Sequence, residues 1–274
     1  MKRVATIILN RNLPEVTDRL VEHIREYDGD VSDIFVVEAG SDNDKTSKYM
    51  TWHADWSDAR ENGLRYSRGM NFGLSQLYKE QKFQNYEAFF LLTNDTLLEE
   101  TNSIKKLLEE MSLHKRIGIL SPCSLSWGEY LLLKKVKTKY FWFIHNNAYL
   151  LRRQFIESIY NLSEINYKQF LFDGSNFRGY GSESELIAKA YMNDWSAAIT
   201  AEVIASEDES HLLNKSDLIK TESYDENLEL YLDEGKKWMK NKYGFNSRWS
   251  FQQYVKSFYD SFFEFYPELK KYKI

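Results

Sequence analysis

The sequence predicts an α/β domain with a mainly parallel central sheet and flanking helices, followed by a C-terminal helical extension. In the first half of the chain, short apolar runs alternate with amphipathic stretches, a rhythm that implies right-handed crossovers between parallel strands. From Tyr224 onward the pattern is helical and rich in aromatic residues. Because no Pro-, Gly- or Ser-rich linker divides the chain, we expect the domain to span residues 1–215 and the extension 216–274 to pack on it.

The predicted strands are short, apolar and rich in β-branched or aromatic residues, as buried strands are. They are Val4–Leu9, Asp33–Glu38, Tyr86–Leu92, Ile117–Leu120, Lys139–Leu150 and Thr200–Ala205. The predicted helices carry apolar side chains three or four residues apart. They are the stretch from Pro14 to near Gly29, Met70–Lys79, the stretch with Ile104, Leu107, Leu108 and Met111 in phase, Arg153–Tyr160, Glu183–Met192, Leu228–Lys242 and Ser250–Phe265.

Composition excludes several classes of protein. The 274 residues are 43% hydrophobic, which is enough for a core, and the net charge of -5 argues against a nucleic-acid partner. The single cysteine, Cys123, excludes an internal disulfide and a cysteine-based zinc site, and we expect it to be buried.

The sequence also bears on location. The apolar runs are far shorter than the roughly 20 residues that span a bilayer, and the N-terminal run is too short for a signal peptide. We therefore expect a cytoplasmic protein. A basic patch formed by Lys134, Lys135, Lys137 and Lys139 fits either a solvated face or peripheral association with the inner face of the plasma membrane.

Polar residues follow three of the predicted strands: Asn10 and Asn12, then Glu38, then Asn94 and Asp95. In parallel sheets, ligands bind beyond the carboxyl ends of the strands, so these side chains should gather at one rim. A carboxylate delivered there by a buried strand can hold a hard cation that bridges a diphosphate. Taken alone, an Asn-Asp pair is also typical of ordinary turns.

Five segments resemble, in order, motifs of the inverting family-two glycosyltransferases, particularly their rhamnosyltransferase-like branch. Phe89–Thr96 resembles the Leu-Asn-Asn-Asp-Thr version of the Asp-x-Asp motif, with Thr93 in place of the first acid. The other four segments are Val4–Asn12, Val36–Asp42, Tyr66–Leu74 and Tyr180–Trp195. The resemblance covers roughly residues 4–195 and implies a GT-A fold, a Rossmann-like nucleotide-sugar-binding domain.

The resemblance also implies a donor site. It assigns contacts with a nucleotide-sugar to Asn10, Asn12, Glu38, Arg68, Asn71, Asn94 and Asp95. Asp95 matches the acid that binds Mg²⁺ or Mn²⁺. A metal-site histidine would be His211, although the expected register falls nearer Glu207, so that Glu207 or Asp208 could substitute or no such ligand exist.

Glu183 and Glu185 are the catalytic candidates. Glu183 matches the general base that deprotonates the acceptor hydroxyl. Glu185 lies about 200° further around a regular helix, so both carboxylates cannot serve one face. The preference of acids for helix N-termini would produce the same pattern, and Asp173 matches a further family acid.

The function that the resemblance implies is inverting transfer of a hexosyl or deoxyhexosyl group in bacterial surface-polysaccharide synthesis. The donor would be a nucleoside-diphosphate sugar, UDP- or dTDP-linked, and the acceptor a saccharide or lipid-linked saccharide. Two alternatives stay open. A nucleotidyltransferase should have a Gly-rich phosphate loop after the first strand, and Asn10–Pro14 has no glycine. A non-catalytic saccharide-binding scaffold would keep the fold but bind nucleotide poorly.

Overall fold

The structure is a computed structural model that describes residues 3–133, 136–145, 148–161, 165–208 and 221–274. Its centre is a nine-stranded mixed sheet with the order β3-β2-β1-β4-β8-β6-β9-β5, in which β7 also pairs with β9. The strands are β1 (Val4–Asn10), β2 (Ser32–Glu38), β3 (Met50–His53), β4 (Ala88–Thr93), β5 (Thr96–Leu98), β6 (Ile117–Cys123), β7 (Thr138–Tyr140), β8 (Tyr149–Arg152) and β9 (Ser196–Glu207).

Helices cover the sheet and form the C-terminal extension. In the described residues they are α1 (Pro14–Asp28), α2 (Ser57–Asn62), α3 (Arg65–Lys79), α4 (Ser103–Leu113), α5 (Glu129–Leu133), α6 (Arg153–Ile159), α7 (Ser182–Met192), α8 (Tyr224–Tyr243) and α9 (Arg248–Phe265). Short 3₁₀ helices occupy Asn43–Lys45, Phe83–Asn85 and Pro267–Tyr272. None of the described helices is long and apolar enough to cross a membrane.

Strand direction follows the crossover argument. β1 runs parallel to both β2 and β4, β2 runs parallel to β3, and β6 runs parallel to β9. β8 lies antiparallel between β4 and β6, so β6 has the same direction as β4. Six of the nine described strands therefore share one direction, and the carboxyl ends of β1, β2, β4 and β6 lie at one edge. The prediction of a mainly parallel sheet is confirmed.

The prediction of one long strand from Lys139 to Leu150 is wrong. Two short strands occupy this stretch: β7 pairs with β9, whereas β8 inserts between β4 and β6. Between them lie the buried residues Phe141 and Ile144, which belong to the core without belonging to a strand. An apolar run reports burial, and it cannot say where the backbone leaves the sheet. The short elements β3, β5, α2 and α5 were not predicted, because each is too short to show a periodicity.

The C-terminal helices pack on the domain, and this packing accounts for most of their aromatic residues. α9 lies against α7 and buries Phe251, Val255, Tyr259, Phe262 and Phe263. The Tyr259 hydroxyl donates to the carbonyl of Tyr140 at 3.1 Å, which ties α9 to the end of β7. The expected boundary between residues 215 and 216 lies outside the described residues and stays a prediction.

Candidate active site

A cavity of about 400 Å³ opens at the carboxyl ends of β1, β2 and β4. Asn10, Asn94 and Asp95 line it, as the position of these residues after their strands predicts. Its remaining lining residues are Leu9, Arg11, Leu13, Ala39, Arg65, Tyr66, Thr93, Tyr224, Asn227, Leu228 and Tyr231. We call this space the strand-end cavity.

Amide hydrogen bonds tie the three strand ends together. The Asn10 amide donates to the Glu38 carboxylate at 2.8 Å, and its oxygen accepts from the Asn94 amide at 3.1 Å. Asn94 also donates to the hydroxyl of Thr17 on α1 at 3.2 Å. These bonds fix the rim of the strand-end cavity before any ligand arrives.

Glu38 and Asn12 are at this edge but do not line the cavity. The fully buried Glu38 carboxylate accepts hydrogen bonds from Asn10, from the Ser41 hydroxyl (2.5 Å) and from the Ser47 amide (2.8 Å). Burial raises the pKa of Glu38, and these hydrogen bonds oppose that rise. Asn12, at φ 58°, accepts from the Asp42 amide at 2.8 Å. Both side chains therefore shape the loop after β2.

Two arginines that the sequence analysis did not single out line the strand-end cavity. The Nε atoms of Arg11 and Arg65 are buried, and neither has a hydrogen-bond partner among the described residues. Burial and the neighbouring Arg65 lower the pKa of Arg11 to about 10. Their other nitrogens have partners: Arg11 donates to the carbonyl of Glu61 at 2.9 Å, and Arg65 pairs with Glu222 at 3.1 Å. Two neighbouring positive groups that line one cavity favour an anionic ligand there. The position of Arg11 directly after the first strand was the only sequence signal for this pair.

Arg68 and Asn71, by contrast, face the segment before α7. The Arg68 Nε donates to the carbonyl of Gly174 at 2.8 Å, and its guanidinium lies 4.6 Å over the Phe177 ring. The buried Asn71 amide donates to the carbonyl of Phe172 at 2.8 Å and accepts from the same residue's amide at 2.9 Å. The structure thus places both side chains away from the strand-end cavity, where they hold a loop against α3.

The C-terminal extension closes one side of this cavity. Tyr224, Asn227, Leu228 and Tyr231 of α8 line it. Just before α8, the Glu222 carboxylate lies 3.1 Å from Arg65 and 2.7 Å from Arg178. Further along α8, Gly235 packs so closely that an added Cβ would lie 2.5 Å from the Cβ of Tyr180. Residues C-terminal to the segments that resemble glycosyltransferase motifs therefore form part of the site.

A second cavity, of about 720 Å³, adjoins the first, and Tyr231 lines both. Glu183, Glu207 and His145 line this second cavity together with aromatic side chains. The aromatic lining residues are Trp127, Trp142, Phe143, Tyr180, Tyr231, Trp249 and Phe251. The combination of aromatic faces with a few carboxylates is typical of sites that bind polar organic ligands with apolar faces.

Glu183 sits in the first turn of α7, directly after Gly181 and Ser182. Gly181 has φ 83°, a backbone conformation that starts the helix at this point. Burial raises the pKa of Glu183 to about 7, although its own backbone amide and His145 oppose the rise. Within the described part of the chain, no other side chain hydrogen-bonds to its carboxylate. A carboxyl with a pKa near neutrality is suited to accept a proton.

Two phenols lie close to Glu183 and Glu207, and one of them, Tyr66, lines the strand-end cavity. The hydroxyl oxygens of Tyr66 and Tyr149 are buried and have no hydrogen-bond partner among the described residues. Burial, together with Glu183 and Glu207 nearby, raises the pKa of both phenols well above the ordinary value. Their rings are 6.4 Å apart, edge to face. Both hydroxyls are therefore left without a hydrogen bond inside the described part of the protein.

Glu185 lies on the far side of α7 from the cavities, as its 200° offset from Glu183 implies. Its buried carboxylate accepts from the Tyr243 hydroxyl at 2.5 Å and pairs with Lys242 at 2.7 Å and Lys189 at 3.2 Å. Asp173 accepts from Lys242 at 2.5 Å as well. Burial would raise the pKa of Glu185, but the two lysines hold it below its ordinary value. The structure therefore places Glu185 where it anchors α8, away from the reaction space.

Lys242→Met is expected to destabilise the protein by about 1–2 kcal/mol near pH 7, because it leaves two acids without their shared cation. The pKa values of Asp173 and Glu185 are lowered in the folded protein. Their contribution is thus present above pH ~4 and is lost as the pH falls further, so the difference should shrink in acid. Urea unfolding at several pH values measures this. The exposed Lys240→Met is the control, and equal effects of both variants would contradict the assignment.

Acidic residues surround the end of β4. Asp95 lines the strand-end cavity, and its carbonyl accepts from the Asp208 amide at 2.9 Å. Glu207 lies opposite Thr96 in the β5–β9 pairing. The described residues contain no group of three or more His, Cys, Asp or Glu arranged to hold a metal. His211 lies outside the described residues, so its assignment stays a prediction.

Comparison with solved structures identifies the architecture. No protein-family model matches the sequence, and no curated protein matches it either. The Pyrobaculum calidifontis mannosyltransferase PcManGT, solved with GDP-mannose and Mn²⁺, superposes with a TM-score of 0.55 at 11% identity, over 92% of this chain and 68% of that chain.

Two further structures have the same architecture. GalNAc-T7, solved with UDP, GalNAc and Mn²⁺, superposes with a TM-score of 0.54 at 10% identity, over 99% of this chain and 58% of that chain. TarS residues 1–349 from S. aureus, solved with UDP-GlcNAc, superposes with a TM-score of 0.52 at 11% identity, over 96% of this chain and 73% of that chain. Likenesses at this identity show the fold, and the chain has the GT-A fold.

Proposed function

We propose that the protein is a glycosyltransferase that transfers a sugar from a nucleoside-diphosphate sugar to a hydroxyl acceptor. The observation that carries the proposal is the pairing of the two cavities. Arg11, Arg65 and Asp95 line the strand-end cavity, so two positive groups and a carboxylate face the same space. The adjoining cavity holds Glu183, whose pKa is about 7. A diphosphate leaving group and a proton acceptor are the two requirements of this reaction.

Arg11 and Arg65 would hold the diphosphate through charge-assisted hydrogen bonds from the guanidinium groups that line the strand-end cavity. Asn10 and Asn94 keep the rim rigid, so little order is lost when the donor binds. The sugar would lie where the two cavities adjoin, beside Tyr231, which lines both, and near Glu207 of the second cavity. Glu38, Asn12, Arg68 and Asn71 support this site indirectly, through the loops that they hold.

Asp95, directly after β4, is a hard oxygen donor of the kind that Mg²⁺ and Mn²⁺ prefer, and it lines the strand-end cavity. Since the described residues present no cluster of three such ligands, Asp95 would hold the cation mainly together with oxygens of the diphosphate. A divalent cation bound there would neutralise charge on the departing diphosphate.

Glu183 would accept the proton of the acceptor hydroxyl as its oxygen attacks the anomeric carbon and the bond to the diphosphate breaks. Attack from the side opposite the leaving group inverts the anomeric configuration. The arrangement of the two cavities supports attack from the side opposite the leaving group, because Glu183 and Asp95 line different cavities. The sequence resemblance supports an inverting enzyme of surface-polysaccharide synthesis, a UDP- or dTDP-linked hexose or deoxyhexose donor, and a saccharide or lipid-linked saccharide acceptor.

A thermal-shift screen with UDP, dTDP, GDP, CDP and CMP, each with and without Mn²⁺, tests the donor site. A ligand at 100 times its Kd adds about 2.7 kcal/mol, which is expected to raise Tm by about 5–10 °C. Asp95→Asn should remove the Mn²⁺-dependent part of the shift, while the exposed Asp44→Asn should retain it. No shift with any nucleotide from folded protein would refute the donor site and favour a non-catalytic scaffold.

A further inference from the structure

A buried carboxylate and a histidine form a pair beside the second cavity. Glu129, at the start of α5, is 3% exposed, and its Oε1 lies 2.5 Å from Nδ1 of His145. The same oxygen accepts a hydrogen bond from the His145 backbone amide at 3.2 Å. The other oxygen, Oε2, is buried and has no hydrogen-bond partner among the described residues. Within the described chain, His145 is therefore the group that compensates this buried negative charge.

The ring of His145 is held in one orientation. Trp127 stacks on it with 4.8 Å between the ring centroids, and Phe143 lies edge to face at 5.4 Å. Because Nδ1 is held by Glu129, Nε2 is the ring nitrogen left for other contacts, and His145 lines the second cavity. A carboxylate on one ring nitrogen is the arrangement that orients a histidine and leaves its second nitrogen available.

The protonation states of the pair follow from this packing. The hydrogen bond to Glu129 raises the pKa of His145 against the effect of burial, and the charges of Glu129 and Glu183 add to the rise. Burial would raise the pKa of Glu129, but its bonds with His145 hold it below the ordinary value. Cys123 stays a thiol, because burial and the charge of Glu129 raise its pKa to about 11. At neutral pH the pair is therefore an imidazolium held by a carboxylate.

Glu183 shares the second cavity with this imidazolium. In the described part of the chain, the charged residues that line the cavity are His145, Glu183, Glu207 and Arg248. Glu207 has the same charge as Glu183 and can only favour its protonated form. Arg248 is exposed, with its guanidinium 4.6 Å over the Trp249 ring, so water and salt screen its charge. His145 is thus the cation that is fixed in this cavity, and its charge opposes the rise in the pKa of Glu183 that burial causes.

We propose that His145 is a positioning residue for Glu183: the imidazolium held by Glu129 favours the ionised carboxylate that accepts the proton of the acceptor hydroxyl. The imidazolium keeps both of its ring protons, and the proton of the hydroxyl passes to Glu183. This inference rests on the proposed function, because it concerns the proton acceptor of that reaction. The effect of the charge itself belongs to the free protein and can be measured without a substrate.

Carbon NMR of protein labelled at the glutamate side-chain carboxyls tests the effect of the charge. Glu183 is identified by the signal that is missing from Glu183→Gln, and the pH is varied from about 4 to about 10. His145→Gln should raise the pKa of Glu183 from about 7 to about 8. Glu129→Gln combined with His145→Gln should raise it less, because the opposing charge of Glu129 is removed as well.

His114→Gln is the matched control. His114 also pairs with a buried acid, Glu110, at 3.1 Å, but neither residue lines the strand-end cavity or the second cavity. The pKa of Glu183 should stay at its wild-type value in this variant. The proposal fails if His145→Gln leaves that pKa unchanged, or if His114→Gln raises it equally. If circular dichroism shows that His145→Gln does not fold, the double variant with two neutral amides decides by the same criterion.

The kinetic consequence is a displaced pH profile. In His145→Gln, kcat/KM should be about tenfold lower near pH 6 and less than about twofold lower above about pH 9. A residue that only supports the fold would lower kcat/KM equally at every pH, and this outcome would overturn the proposal. If the wild type binds no nucleotide and transfers no sugar, the proposed function is wrong, while the NMR titration still decides whether His145 acts on Glu183.

Discussion

Glu183→Gln is expected to abolish sugar transfer and at the same time to stabilise the protein at alkaline pH. Removal of a general base costs about 10²–10⁴-fold in rate. In the wild type, kcat/KM should rise as the pH increases through about 7, because the carboxyl must be ionised to accept a proton. Steady-state kinetics with the donor selected by the thermal-shift screen measures both effects.

The stability effect follows from the direction of the shift. Burial raises the folded-state pKa of Glu183, so the folded protein binds its proton more tightly than the unfolded chain. The contribution of protonated Glu183 to the free energy of unfolding is fully present below the unfolded-state pKa of about 4.3. It is lost as the pH rises through about 7. Above that pH the Gln variant avoids the cost of a buried charge. Because the cavity admits some solvent, we expect a gain of about 1–2 kcal/mol at pH 8 and none near pH 4.

Glu185→Gln supplies the matched control, two residues along the same helix. It loses ion pairs with Lys189 and Lys242, so it should be less stable than the wild type at pH 8, opposite in sign to Glu183→Gln. Its folded fraction should still transfer sugar, because its carboxylate points away from both cavities. If instead Glu185→Gln is inactive and fully stable, the assignment of roles to these two acids is wrong.

Arg65→Gln is expected to raise the Kd of the nucleoside diphosphate by about 10–100-fold. A charge-assisted hydrogen bond contributes about 1.5–3 kcal/mol, and Arg65 lines the strand-end cavity. Arg11→Gln should have a similar effect for the same reason. Isothermal titration with the diphosphate, and separately with the nucleoside alone, measures it, since only diphosphate binding should weaken.

The control for the arginine pair is Arg68→Gln. Arg68 binds the carbonyl of Gly174 and lies over Phe177, away from the cavity, so its loss should change the Kd less than about threefold. The sequence resemblance points to Arg68 as the basic residue near the nucleotide, and the structure points to Arg11 and Arg65. A large effect of Arg68→Gln with small effects of the other two would reverse that choice.

Much of the architecture could be predicted from local patterns. β1 and β2 are fully or largely buried strands. The sequence predicts both because their apolar runs stop at Asn10 and Glu38. The crossover rule then placed the strand ends at one edge. The aromatic run from Tyr140 to Ile144 led to the wrong prediction of one long strand, because most of this run is buried without being in a strand. Its burial comes from packing against distant helices, so no local signal marks where β7 ends.

The sequence by itself determined the long buried strands, the main helices, the shared strand direction and the positions of Asn10, Asn94 and Asp95 at the rim. These follow from continuous apolar runs, the 3.6-residue periodicity of helices and the crossover rule. Only the tertiary structure decided which side chains face the cavity. Glu38 and Asn71 turn inward to loops, while Arg65 meets Glu222, 157 positions away in the chain. Contacts over such separations depend on how elements pack, and no local pattern encodes them. The same packing places α8 over the strand-end cavity, and so makes the C-terminal extension part of the site.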